Sequence, residues 1–365
     1  MTDPRATLKP TADKVELSRS GLASADLRQV IGATEPRLRQ LAGASILVTG
    51  ATGWFGVWLL DVLCAADDAL RLGLRIIAVS RDPQRFIARH KGFAADTRLE
   101  WMQSDVRWLE PSDAGFDYVI HAATDTSVKS GADDPLQLFE TIVDGTRHAI
   151  AAAGSRCKSF LLLSSGAIYG PGRVTATHFA EGETGGPDPS STKSAYAEGK
   201  RAAEQLGAIA AGTGLPVRIA RCFAFVGPHM PFDKHFAIGN FIADAVEGRP
   251  IRVKSDGRPL RSYLYMSDLM RALITILIDG VVARPYNVGS DEAITIDELA
   301  HRVNRVAGGT GVLIEGAHSD PLDRYVPDMT RMRTELGFAQ QVSLDNAIAQ
   351  TAAWRRAERN VLMRP

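Results

Sequence analysis

Val48-Thr49-Gly50-Ala51-Thr52-Gly53-Trp54-Phe55-Gly56 is the stretch whose reading decides the fold. It follows a short apolar run at residues 45–48 and leads into a helix-like segment at residues 55–65. Glycines at such a junction let the backbone turn tightly and approach a pyrophosphate, whose charge then sits against the helix N-terminus. A glycine-rich turn alone also suits an ordinary strand-to-helix connection. Its place after the first apolar strand of an alternating chain favours the nucleotide reading. Further apolar runs lie at residues 75–79, 99–103, 118–121, 160–163 and 217–221, with helical patterns between them at 136–153 and 196–211. Buried strands alternating with helices predict an α/β fold, a doubly wound parallel sheet of the Rossmann kind.

After Gly227 the rhythm breaks into shorter elements rich in Gly, Pro and Arg, which predicts a smaller C-terminal α/β lobe over the carboxyl ends of the strands. The expected organisation is an N-terminal extension at 1–43, a dinucleotide-binding domain at 44–226 and a mainly substrate-binding lobe at 227–365. A segment near Tyr286–Gly289 is expected to cross back to the main sheet. The extension carries an amphipathic helix from about Ser24, with Leu27, Val30 and Ile31 on one side, suited to packing or to a dimer contact.

Among 365 residues, 42 Lys and Arg balance 42 Asp and Glu, so no overall field attracts nucleic acid or an anionic membrane. Cys64, Cys157 and Cys222 are scattered, without metal-ligand spacing, and are expected to be reduced and buried. The first twenty residues lack the apolar core of a signal peptide, and no apolar run approaches the roughly 20 residues of a membrane span. A cytoplasmic protein without a metal is expected.

The second strand ends in Ser80-Arg81-Asp82. A carboxylate at this position would accept from the ribose hydroxyls of NAD, whereas an arginine suits the 2′-phosphate of NADP. With Ser80 at the strand end and Arg81 next, NADP is favoured over NAD, although a slip of one residue brings Asp82 into play. Asp105 and Val106 end the third strand, where Asp105 is placed to accept from the adenine amino group or to cap a turn. Ala122, Ala123 and Thr124 end the fourth, small enough to pass beneath a dinucleotide. His121 reads as a packed structural histidine.

The fifth strand ends in Ser164-Ser165-Gly166-Ala167-Ile168-Tyr169-Gly170, and Tyr196-Ala197-Glu198-Gly199-Lys200 follows. Tyr and Lys four residues apart share one helix face. A phenol has a pKa of about 10, and a nearby ammonium with a cationic nicotinamide favours its ionised form, bringing proton transfer towards neutral pH. A strand-end hydroxyl can hold the sugar oxygen whose carbon exchanges hydride.

GATGWFG (residues 50–56), VIHAAT (119–124), SSGAIYG (164–170), YAEGK (196–200), RCFAFVGP (221–228) and RSYLYMSDL (261–269) occur in the order found in extended short-chain dehydrogenases. The chain resembles the nucleotide-sugar epimerases, dehydratases and reductases of that family over residues 44–358, and in wording is most similar to the UDP-xylose synthase branch. The resemblance implies a triad of Ser165, Tyr196 and Lys200, with Ser164 as the fallback serine. It implies cofactor contacts from Gly50, Thr52, Gly53, Trp54, Phe55, Gly56, Ser80, Arg81, Asp105, Val106, Ala122, Ala123, Thr124, Tyr196 and Lys200. It also implies a nucleotide-diphosphate sugar held by Ser165, Asn240, Arg261 and Arg324, and a homodimer.

The chain departs from that pattern where dehydratases carry an Asp-Glu pair and the xylose synthase branch a Glu: here stand Gly166 and Ala167. Dehydration or decarboxylation would need an acid from elsewhere, such as Glu198 or Glu181. What remains is hydride transfer at sugar C4 with a tyrosine acid/base, as 4-keto reduction ahead of 4-epimerisation. Ile142 and Ala224 replace two family asparagines. A reductase of a non-nucleotide carbonyl substrate and a non-catalytic dinucleotide sensor are the competing classes. Neither base nor sugar is legible.

Overall fold

The structure, a computed structural model, describes residues 18–111, 115–124, 134–170, 177–232, 236–317 and 323–362, with residues 361 and 362 described as backbone only. The first seventeen residues of the extension lie outside the described residues.

The chain enters through α1 (Ser24–Leu38) and then alternates: β1 (Ser45–Thr49), α2 (Trp54–Leu70), β2 (Arg75–Ser80), α3 (Pro83–Arg89), β3 (Leu99–Gln103) and β4 (Tyr118–His121). Next come α4 (Pro135–Ala153), β5 (Ser159–Ser165), α5 (Ala195–Gly212) and β6 (Val217–Cys222). Shorter elements follow: β7 (Phe225–Val226), α6 (Ala237–Val246), β8 (Ile251–Val253), β9 (Leu260–Arg261), β10 (Leu264–Tyr265), α7 (Met266–Asp279) and β11 (Pro285–Val288). The chain continues through β12 (Ile294–Thr295), α8 (Ile296–Ala307), β13 (Val312–Ile314), β14 (Arg324–Tyr325), α9 (Thr330–Leu336) and α10 (Leu344–Leu362).

Seven strands form one parallel sheet in the order β11-β6-β5-β4-β1-β2-β3. Successive residues alternate between two cores. Ile46, Val48, Ile76, Ala78, Leu161 and Leu163 pack with α1, α2 and α7 on one face. Leu47, Ile77, Val79, Val119, Phe160 and Leu162 pack with α4 and α5 on the other. Burial on both faces is why these strands read as continuous apolar runs. The strand order reverses between β1 and β4, and a crevice at such a switch point, at the carboxyl ends, is where an open α/β sheet holds its ligand. β11 pairs in parallel with β6 at the edge of this sheet, Tyr286 opposite Ala220. Three short strands, β12-β9-β14, make the small sheet near that end. Among the described residues no helix is long and apolar enough to cross a membrane. None of their side chains form a group that could hold a metal. The three cysteines are buried and unbridged.

The extension's helix packs into the core: Leu27, Val30, Ile31 and Leu38 are buried against α2 and α7. Asp26 is buried with them, and its carboxylate accepts from the Tyr265 hydroxyl at 2.9 Å. Burial pushes this carboxyl up to about 6, and the tyrosine bond only partly offsets that. The folded state therefore binds a proton more tightly than the unfolded one between its ordinary value of 3.8 and about 6, and the ionised group costs stability above that window. Asp26→Asn keeps an acceptor for Tyr265. It is expected to raise stability at about pH 8 by about 1–3 kcal/mol, a gain that vanishes below about pH 4. Thermal melting of both proteins across pH checks this; equal melting at alkaline pH would show that the buried charge costs nothing.

Candidate active site

At the end of β1 the backbone of Gly50 turns with φ +69°, and a side-chain carbon there would stand 2.7 Å from the Ala122 carbonyl oxygen. Only glycine permits this approach of β1 to β4. At Gly56 a side-chain carbon would meet the Gly50 oxygen at 2.3 Å, so the turn closes directly onto α2. Gly53 caps α2 without a side-chain bond to its first N–H groups, which leaves that turn available to an anion. The Trp54 indole, joined by that of Trp58, donates to the Pro228 carbonyl and ties α2 to the chain just after β7. Phe55 packs edge-on against Phe225. These residues fit a pyrophosphate cradle.

Thr52 and Ser80 hydroxyls lie 3.0 Å apart across the crevice floor. Arg81 is exposed beside them. Asp82 caps α3 by accepting from the Arg85 N–H at 2.9 Å, so its carboxylate is engaged with the helix. Asp105 accepts from the guanidinium and the backbone N–H of Arg107, which holds its carboxyl below the usual range. Val106 is buried against Gly145, where a side-chain carbon would lie 2.7 Å from it. His121 is structural: its ring bonds Thr49 at 2.8 Å and Thr146 at 3.1 Å, and burial lowers its pKa to about 3.

On α5, Tyr196 and Lys200 stand one turn apart, with the Lys200 ammonium 6.0 Å from the Tyr196 ring centre. Lys200 Nζ donates to Thr124 Oγ1 at 2.7 Å and to the Leu163 carbonyl at 2.8 Å, so the ends of β4 and β5 fix it. Burial lowers its pKa to about 8. Burial also raises the Tyr196 phenol, and a hydrogen bond with Ser165 opposes that rise. Ser165 thus shares the site with Tyr196. Ser164, on the alternate face of β5, is hydrogen-bonded to Glu204 instead.

Gly166 has no room for a side chain: a Cβ would lie 2.7 Å from the Phe223 ring. The two acids that sequence offered as substitutes are engaged elsewhere. Glu181 accepts from the Asn287 N–H at 2.9 Å, and Glu198 pairs with Arg201 at 3.5 Å. Ile142 packs against Gly199, so an apolar contact stands where the family has an asparagine.

The small sheet sets where Arg261 and Arg324 lie. Parallel pairing sets Tyr325 opposite Arg261 and Arg324 opposite Leu260. Paired residues share a face and neighbours alternate, so Arg261 and Arg324 stand on opposite faces rather than side by side. Arg261 donates to the Asp323 carboxylate at 2.5 Å and to the Leu260 carbonyl at 2.9 Å. Asn240 lies on α6, which begins at Ala237, in the fourth position of that helix.

Two residues escaped the sequence reading. Glu204 continues the Tyr196–Lys200 face by another turn and pairs with Arg221 at 2.7 Å, and that pair also holds Tyr169. Its spacing of four from Lys200 was the available signal. Tyr325, whose hydroxyl lies 3.3 Å from Ser165 Oγ, gave none.

The profile of the NAD dependent epimerase/dehydratase family matches residues 46–289, and the chain belongs to that family of enzymes. UDP-glucuronic acid decarboxylase 6 of Arabidopsis thaliana is 30% identical over 303 residues, covering 82% of this chain and 85% of the relative. UDP-glucuronic acid decarboxylase 1 of the same plant is 29% identical over 324 residues, 87% of this chain and 69% of the relative. Among solved structures, a dTDP-glucose 4,6-dehydratase from Streptomyces venezuelae with NAD bound superposes with a TM-score of 0.73 at 24% identity, covering 87% of this chain and 98% of that one. A UDP-glucose 4-epimerase from Thermotoga maritima with UDP-glucose gives 0.71 at 22%, covering 86% and 99%.

Proposed function

We propose that this enzyme transfers hydride between a nicotinamide dinucleotide and C4 of a nucleoside-diphosphate sugar, reducing a 4-ketone with NADPH. The observation that carries this reading is that, among the described residues, no uncommitted acid stands beside Ser165. Gly166 faces the Phe223 ring, Ala167 has no proton to move, and the substitutes Glu181 and Glu198 are engaged by Asn287 and Arg201. Among the described residues, elimination of water or loss of a carboxylate finds no uncommitted acid there, while hydride exchange needs only Tyr196 and Ser165.

A dinucleotide held at the glycine turn of residues 50–56 would supply the hydride. Tyr196, its phenol raised by burial, is held in the protonated form that gives its proton to a ketone oxygen. Ser165 orients that oxygen. Lys200 keeps a positive charge near the phenol and steadies the developing tyrosinate. Arg261 is the side chain we assign to the diphosphate, since it shares a face with Tyr325, which reaches Ser165. Arg324, on the other face, and Asn240, one turn into α6, contribute from the margins of that site. Exposed Leu136 on α4 and Ile209 on α5 suit the helix-mediated homodimer that the resemblance implies.

NADP is preferred on this reading because Asp82 is engaged as a helix cap and Arg81 stands exposed at the end of β2. The second reading, 4-epimerisation through a transient ketone with retained NAD, uses the same residues, and the NAD in the dehydratase structure favours it. Denaturing the purified protein and identifying any released dinucleotide by mass spectrometry separates the two. An empty site that takes NADPH ahead of NADH is the expected result, with Arg81→Ala reducing that preference. Tightly held NAD would replace the reductase by the epimerase.

A further inference from the structure

Tyr325 lies on a two-residue strand, in a part of the chain far from the triad, yet its hydroxyl reaches the catalytic serine. The Tyr325 oxygen is 3.3 Å from Ser165 Oγ and 3.4 Å from the Cys222 carbonyl. Its ring packs on Phe223 with centres 4.7 Å apart, the same ring that closes the space over Gly166. β14 pairs in parallel with β9, with Tyr325 directly opposite Arg261.

The protons can be counted. Ser165 Oγ accepts the Ala167 N–H at 3.1 Å and has a single proton to donate. With Tyr325 donating to the Cys222 carbonyl, its oxygen accepts from Ser165, and Ser165 is left to accept from Tyr196. This arrangement matches a protonated Tyr196. With Tyr325 turned to donate to Ser165, the serine proton points at Tyr196 or at a substrate oxygen, and the arrangement matches an ionised Tyr196. The direction of three hydroxyls is therefore linked to the charge on Tyr196.

We propose that Tyr325 is a positioning residue that acts through Ser165 on proton transfer at Tyr196, and that it ties the strand carrying Arg261 to the reacting hydroxyls. The proposal rests on the reading of Tyr196 as the acid/base. The other titratable groups around this chain of hydroxyls are Lys200 on α5, Cys222 on β6 and Arg261 on β9, and Lys200 in turn faces Glu204 and His121.

The test is a tyrosinate-absorbance titration of the complex with NADP⁺, run on wild type, Tyr196→Phe and Tyr325→Phe. The Tyr196→Phe trace identifies the Tyr196 transition; if no transition disappears in it, the acid/base reading has failed before Tyr325 is tested. Tyr325→Phe keeps the ring on Phe223, and melting and NADP⁺ affinity are expected to stay at wild-type values. The Tyr196 midpoint is expected to rise by about one pH unit, because the phenolate loses one donor in its chain. In Ser165→Ala the Tyr325→Phe change should add nothing further, since the link has been cut. An unmoved midpoint in Tyr325→Phe, or an equal shift with and without Ser165, would overturn the proposal. If Tyr325→Phe does not fold, Phe223→Leu removes the ring beneath Tyr325 and is expected to move the midpoint the same way; no shift there overturns it equally.

Discussion

Tyr196→Phe is expected to lower turnover by about 10²–10⁴-fold, the usual worth of a positioned acid/base, while the fold and cofactor affinity stay intact. The phenyl ring fills the same half-buried space on α5, so the change removes one hydroxyl and little packing. Ser165 opposes the upward shift of that hydroxyl, and no described carboxylate is free to take over: Glu204 is held by Arg221 and Glu198 by Arg201. Steady-state kinetics with fluorescence titration of the dinucleotide checks it. A variant that turns over at the wild-type rate would remove Tyr196 from the chemistry.

Lys200→Ala is expected to slow turnover on the order of 10²-fold and to weaken dinucleotide binding at the same time. The rate effect follows from the one to three pKa units by which a neighbouring cation assists a phenol. The binding effect follows from position. Lys200 is nearly fully buried, and its ammonium bridges Thr124 at the end of β4 to Leu163 in β5, at the switch-point crevice. Burial sets its pKa at about 8, so the ammonium is complete below that value and is lost as pH rises through it. Turnover that depends on the charge should fall above about pH 8 in the wild type, and the fall should be missing from the residual activity of Lys200→Ala. Unchanged kinetics would remove the triad; slowed turnover with unchanged binding would confine Lys200 to the phenol.

Long elements were legible because their signals are local. The runs at 75–79 and 217–221 fall inside β2 and β6, and the segment at 196–211 falls inside α5, since two-sided burial and helical spacing are written in consecutive residues. The glycine turn was legible for the same reason. The small sheet was not. β9, β12 and β14 have two residues each, too few for any period, and their register is set by partners more than thirty residues away. Without the register, the sequence does not say which face Arg261, Arg324 or Tyr325 occupies. The missing acid at Gly166 could be read as an absence, but not that the Phe223 ring occupies its place. The helix from Ser24 was legible, whereas its docking on α7, with Asp26 under Tyr265, depends on a contact across most of the chain.

The central claim is that the chemistry at Ser165 and Tyr196 moves hydride at C4 and leaves the substituent at C5 intact. The most direct test is to incubate the purified enzyme and added NAD⁺ with UDP-glucuronic acid labelled in its carboxylate, and to measure released carbon dioxide while analysing the recovered nucleotide sugar by mass spectrometry. The account predicts that the label stays in the sugar nucleotide, changed at most at C4. Stoichiometric release of labelled carbon dioxide, with a pentose nucleotide as product, would contradict it and place this chain with the decarboxylases it is similar to.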